Sequence, residues 1–217
     1  MPQQRPMPGS KKSLSRGKPK KLRRPRVLIV CEGKETEPNY FIGFRREKRL
    51  NKELFTIIGP GPHPKNIVKK AVDLVKAAEL ENEPFDMAWC VFDRDTHEKI
   101  HEAFQKADPD LQIKIAFSNP CFEIWFLLHF QDHSRPEHRD EIIRLLKIHL
   151  PDYDKSLEGL YERLLDRQVN ALKRAKDLKK MHLNNQAFDH TRLATAIECN
   201  PFTSVDCLIE YLIKHFE

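Results

Sequence analysis

Glu32 ends the apolar run Val27-Leu28-Ile29-Val30-Cys31, and Asp93 and Asp95 close the run Met87-Ala88-Trp89-Cys90-Val91-Phe92. Carboxylates at the carboxyl ends of two buried strands offer hard oxygen ligands to one crevice. Mg²⁺ suits such a set, because it takes one or two carboxylates together with waters and substrate phosphates; Mn²⁺ is the alternative cofactor. Glu123 stands inside the apolar stretch Phe122 to Phe130, where an acid is costly unless it is paired or metal-bound. That makes it a candidate fourth ligand, with His129 or a helix terminus as the competing structural partner. Lys34, Arg94 and His97 lie close to the three strand-end acids and are candidate phosphate contacts. The bland alternative is that these acids form turns and cap helices, and that Asp-x-Asp arises by chance in a chain with 32 acids.

The elements that must position these groups are legible as alternating apolar runs and amphipathic stretches. Val27 to Cys31 reads as a fully buried strand, Pro38 to Leu50 as a helix, and Leu54 to Ile58 as a second strand. Gly59-Pro60-Gly61-Pro62 breaks the chain, and Lys65 to Leu80 resumes helical spacing. Met87 to Phe92, His97 to Ala107 and Leu111 to Phe117 continue as strand, helix and strand. Four βα units in a row predict an α/β fold with a parallel sheet covered by helices on both faces. Neighbouring parallel strands lie about 4.8 Å apart. The acids therefore converge if the first and third strands are adjacent, in the crevice where open α/β sheets bind ligands.

Beyond Ser118 the reading is helical: Pro120 to Phe130 with proline in its first turn, then Glu137 to Leu150, about Leu157 to Lys180, and Val205 to Phe216. Trp125 and His129 read as core residues. Asn119-Pro120 and Asn200-Pro201 read as caps and turns, and Thr36 as a cap of the first helix with Glu37 in its first turn. Lys173, Arg174, Lys176, Lys179 and Lys180 read as a solvated basic face, with nucleic-acid contact as the alternative. The organisation expected is a basic arm at 1–25, an α/β domain at 26–130, and a helical extension at 131–217 packed on it.

The 217 residues carry a formal net charge of +6, but residues 1–26 hold ten of the 38 Lys and Arg and no acid. The remainder holds 28 bases against 32 acids, so its own charge is about −4. An arm rich in Lys, Arg, Pro and Ser buries too little apolar surface to fold alone and is expected to be disordered. Its charge suits phosphate backbones through counterion release, and Lys20, Lys21, Arg23 and Arg24 are its candidate contacts; a solubilising leader is the alternative. No run approaches the ~20 apolar residues that span a bilayer, and no signal peptide is evident, so no membrane partner and a cytoplasmic location are expected. Five cysteines without a CxxC pair read as reduced core residues.

The segments Cys31-Glu32-Gly33-Lys34-Glu35-Thr36-Glu37-Pro38-Asn39-Tyr40-Phe41, Val91-Phe92-Asp93-Arg94-Asp95, Ser118-Asn119-Pro120-Cys121-Phe122-Glu123-Ile124-Trp125 through His129-Phe130, and Asn200-Pro201-Phe202-Thr203 together resemble the RloB family. The order strand-Glu-Gly, then strand-Asp-x-Asp, resembles the Toprim domain of topoisomerases, primases and OLD-family nucleases. The resemblance implies a four-stranded, mainly parallel Toprim-like sheet with a C-terminal helical extension. It also implies a Mg²⁺-dependent nuclease that cleaves phosphodiester bonds in RNA, including tRNA, or in DNA. Glu32 would act as general base or acid or help bind metal, and Asp93 and Asp95 would bind the metal. The family further implies an ABC- or AAA-type ATPase partner and a role as effector of anti-phage defence of the abortive-infection kind. Homo-oligomerisation is left open. The alternative reading is a non-catalytic subunit that uses the same scaffold to bind nucleic acid or an ATPase. Nucleotidyl transfer, as in Toprim primases, is a third, although no further primase module is evident.

Overall fold

A computed structural model describes residues 23–59, 64–94, 100–106, 112–184, 186 and 196–216. Among these, β1 (Val27–Cys31), α1 (Thr36–Glu47), β2 (Phe55–Ile58), α2 (Pro64–Leu80), β3 (Met87–Asp93), α3 (Ile100–Lys106) and β4 (Ile113–Asn119) alternate. The chain continues as α4 (Glu123–Leu127), α5 (Arg139–His149), α6 (Leu160–Leu164), a 3₁₀ turn at Leu165–Arg167, α7 (Gln168–His182), β5 (Phe202–Thr203) and α8 (Val205–Phe216).

The sheet order is β2-β1-β3-β4-β5, with the first four strands parallel and β5 antiparallel to β4. This is the Toprim-like α/β class expected, with β1 and β3 adjacent as convergence of the acids requires. The sheet has five strands instead of four, because Phe202 and Thr203 pair with Asn119 and Ser118, helped by a 3.0 Å bond between the Ser118 and Thr203 hydroxyls. A two-residue strand is too short to show a period of two.

Why β1 reads as continuous apolar sequence is plain from its surroundings. Val27, Ile29 and Cys31 face one core layer, built with α1, α4 and the later helices, while Leu28 and Val30 face another, built with α2 and α3. Alternate residues point to opposite faces, so covering both faces demands apolar residues at every position. Leu146, Tyr161, Ala175, Leu208 and Phe216, all from beyond residue 131, join the same layer as Val27 and Trp89.

Several local expectations are corrected. The helix beginning near residue 120 is only Glu123–Leu127, and the Asn119–Pro120 peptide is cis, as is Asn200–Pro201. Neither asparagine caps a helix: Asn119 Nδ2 donates to the carbonyls of Ile197 (3.0 Å) and Cys199 (2.8 Å). Thr36 opens α1 itself, after a Glu35 that makes no capping bond. The helix expected over 157–180 is interrupted at the 3₁₀ turn. Lys179, assigned above to a solvated face, is 4% exposed and donates to both carboxylate oxygens of buried Asp206, at 2.7 and 2.5 Å. Trp125 and His129 are core residues; His129 Nδ1 bonds the Trp125 carbonyl at 2.9 Å, and burial lowers its pKa to about 4, so the ring is neutral. The five cysteines are free thiols, three of them buried and Cys199 and Cys207 half-buried. Among the described residues no helix is long and apolar enough to cross a membrane.

Candidate metal and phosphodiester site

The chain runs from β1 through α1 to β2 on one side of β1, then crosses back to β3 on the other side. The crevice outside the carboxyl ends of β1 and β3 is therefore the topological switch point of the sheet. Glu32 continues the ladder there, its N–H donating to the Val91 carbonyl at 3.0 Å. Its carboxylate turns toward β3, where Oε2 accepts the Asp93 N–H at 3.3 Å. Asp93, the last residue of β3, lies beside Ser118 of β4, and the short loop after β4 delivers Glu123 as the first residue of α4.

A further acid joins them. Glu37 is buried in the first turn of α1, and its Oε1 accepts the Gly33 N–H at 3.2 Å. A Cβ at Gly33 would collide with the Glu37 carboxylate, so glycine is what lets that carboxylate sit over the β1–α1 turn. Glu32, Glu37, Asp93 and Glu123 thus line one cleft of about 280 Å³, together with Lys34, Arg139 and Lys155.

Burial and mutual repulsion mark the acids electrically. Burial, followed by the charges of Glu32, Glu37 and Glu123, pushes Asp93 well above the usual carboxylate range, while Arg139 pulls it partly back. Glu37 is raised to about 7: burial dominates, backbone hydrogen bonds oppose it, and Glu123 and Glu32 add to the rise. Tyr153, whose phenol is pushed upward by burial and by Glu123, keeps its proton and donates it to Glu123 Oε1 at 3.0 Å. That bond, not His129, is the structural partner of Glu123.

Among the described residues, no three His, Cys, Asp or Glu side chains stand close enough together to hold a metal ion as they are. The donor chemistry nevertheless fits Mg²⁺ or Mn²⁺: every acid offers hard oxygen, carboxylates that repel one another are relieved by a cation, and Mg²⁺ needs only one or two protein carboxylates.

Of the other residues singled out from sequence, Lys34 lines the cleft and is exposed. Arg94 does not line it; its guanidinium pairs with Glu198 at 3.2 Å. Arg23 lies at the opposite edge of the sheet, where its Nη2 donates to both oxygens of Asp86 (2.9 and 3.0 Å) just before β3 begins. Arg24 is exposed on the same segment. Asp95, His97, Lys20 and Lys21 lie outside the described residues. Sequence reasoning missed Glu37 as a site acid, along with Arg139, Tyr153 and Lys155. The close pairing of Glu32-Gly33 with Glu37 was the one local signal; the other three come from distant segments.

The family model for RloB-like proteins matches residues 27–212, from the first residue of β1 into α8. No curated protein and no solved structure matches the chain significantly. With the match spanning all four motifs and both strand-end acids, the chain belongs to the RloB-like family.

Proposed function

We propose that this protein is a divalent-metal-dependent phosphodiesterase acting on nucleic acid, RNA (tRNA included) or DNA. The observation that carries the reading is the convergence of Glu32, Glu37, Asp93 and Glu123 on one cleft at the switch point of the sheet, with burial and repulsion holding two of them above their ordinary pKa. Structural acids are ordinarily solvated or paired, and perturbed carboxylates gathered in a cleft are a mark of functional sites.

Asp93 and Glu123, with Glu32 and the sequence neighbour Asp95, are the residues that would hold Mg²⁺ or Mn²⁺. Bound there, the metal would polarise the phosphodiester and lower the pKa of a water. The chain's own groups prepare the rest. Glu32 is held toward β3 by the Asp93 N–H, Tyr153 fixes the orientation of Glu123, and Glu37, raised to about 7, exchanges its proton near neutral pH as a general acid or base must. An ATPase partner and an anti-phage role belong to the same proposal and rest on family resemblance.

The test is cleavage of RNA and DNA in cells and in vitro with Mg²⁺ or Mn²⁺. Asp93→Asn is expected to abolish it, and Glu32→Gln to reduce it by about 10²–10⁴-fold, the range of a general acid–base contribution. Full activity in both variants would sink the reading. The alternative is a non-catalytic subunit that binds nucleic acid or an ATPase on the same scaffold. On that reading neither polymer is cut, and neither substitution alters assembly.

A further inference from the structure

The basic arm was the natural candidate for holding a polyanion, yet the described end of it is engaged elsewhere. Arg23 pairs with Asp86, and Arg26 bonds the carbonyls of Glu53 and Glu83, all at the amino edge of the sheet. Five residues of β1 at about 3.3 Å each separate that edge from the acids by roughly 16 Å. The cleft has cations of its own. Acids supply its floor, and Arg139 and Lys155 come from the helical part of the chain to line it as well.

Each cation lies two residues from a position held by identifiable contacts. Arg139 is the first residue of α5, and Asn200 fixes the segment just before it: Asn200 Nδ2 donates to the Glu137 carbonyl at 3.0 Å and Oδ1 accepts the Glu137 N–H at 3.4 Å. The Asn200-Pro201 motif, which leads directly into β5, thereby sets where α5 begins. Arg139 lies within electrostatic reach of Asp93, whose pKa it lowers. Lys155 follows Tyr153, which is itself held by the site acid Glu123. A phosphate polymer entering a cleft lined by four buried or half-buried acids would be repelled, and a guanidinium fork with a neighbouring ammonium is the donor set that offsets this.

Resting on the phosphodiesterase reading, we propose that Arg139 and Lys155 hold the backbone phosphates of a nucleic acid against the acidic floor of the cleft, with Asn200 as the positioning residue for Arg139. The helical part of the chain is then the substrate-binding wall of the site.

The experiment uses the full chain, with Ca²⁺ in place of Mg²⁺ to support binding without cleavage. Fluorescence anisotropy follows a labelled single-stranded RNA and a matching DNA duplex across a salt series, and cleavage is measured separately with Mg²⁺. Arg139→Gln is expected to weaken binding about tenfold and to reduce the salt slope by about one, as loss of one phosphate contact does; Lys155→Gln should do the same to a smaller extent. Asp93→Asn should bind at least as well as wild type while cutting nothing. Asn200→Ala should reproduce the Arg139→Gln loss, and the double variant should add nothing further, which a merely structural defect would not yield. Wild-type cleavage with unchanged binding and unchanged salt slope in both cation variants would overturn this inference alone. No binding and no cleavage by wild type would overturn the phosphodiesterase reading and this inference with it.

Discussion

The protein buries acids in two places and treats them in opposite ways. Between α7 and α8, Asp206 is fully buried and meets the Lys179 ammonium at 2.5 and 2.7 Å, with Cys207 Sγ 3.2 Å from the same nitrogen. Burial opposes the Lys179 charge most, but Asp206 and Cys207 together outweigh it and raise that pKa; burial, with a smaller push from Glu210, lifts Asp206 against the pull of Lys179, and contacts this short are those of a charged pair. At the cleft, burial raises Glu37 and Asp93 first and neighbouring acids add to the rise, with Arg139 only partly offsetting it at Asp93. One site settles its charge within the fold. The other gathers four acids in an open cleft, where burial and repulsion hold two of them above their ordinary pKa.

The sharpest break in that contrast is to turn the first site into the second. Lys179→Met leaves Asp206 buried without its cation and is expected to destabilise the fold by about 3–5 kcal/mol, whereas the double change Lys179→Met with Asp206→Leu should recover most of that loss. Chemical denaturation measures both; an unchanged midpoint for Lys179→Met would show the pair to be dispensable.

A smaller effect is expected at the cleft, with the opposite sign. Glu37 has a folded pKa of about 7 against an ordinary 4.5. Between those values the folded state retains a proton the unfolded chain has released, so stability is full below about 4.5 and falls as pH rises through about 7. At 1.36 kcal/mol per unit the loss is on the order of 3 kcal/mol. Glu37→Gln should flatten that part of the pH profile and raise the melting temperature at pH 8, and Mg²⁺ should narrow the gap between wild type and variant. A wild-type profile that is flat from pH 5 to pH 8 would contradict the assignment.

The smallest expected change is at Gly33. Gly33→Ala displaces the Glu37 carboxylate and loses the Gly33 N–H bond, with a stability change of about 1 kcal/mol. The informative readout is the midpoint of the Glu37-linked pH transition, which should fall as the carboxylate moves toward water. A midpoint that stays put would mean that Glu37 keeps its place without the glycine.

How much of this was legible beforehand follows from what local sequence encodes. Glu32 and Asp93 stood out because strands covered on both faces are apolar at every position, so the first acid after each is conspicuous. The adjacency of β1 and β3 was only a condition, since order across a sheet is decided by which crossover packs best. Glu37 was hidden because an acid in the first turn of a helix is ordinary; its return over Gly33 is a tertiary event. Arg139, Tyr153 and Lys155 reach the cleft through packing of segments some 100 residues from Glu32, and no period reports that. Lys179 was misread amid a run of bases. A sharper signal existed, since it falls in phase with buried Ala171, Ala175 and Leu178, and Asp206 opposite it interrupts an apolar helix.

The antiparallel pairing of β5 with β4 has a consequence for how the molecule is made. Bonds such as Phe117 N–H to Ser204 Oγ, at 2.9 Å, join residues 87 positions apart, and closures of that span are late, slow events. A chain cut or stalled before Asn200 carries both strand acids but has no Asn200 to set the start of α5. A half-made copy would therefore lack the two Asn200 bonds to Glu137, and the start of α5 is fixed only once residues near 200 have been made.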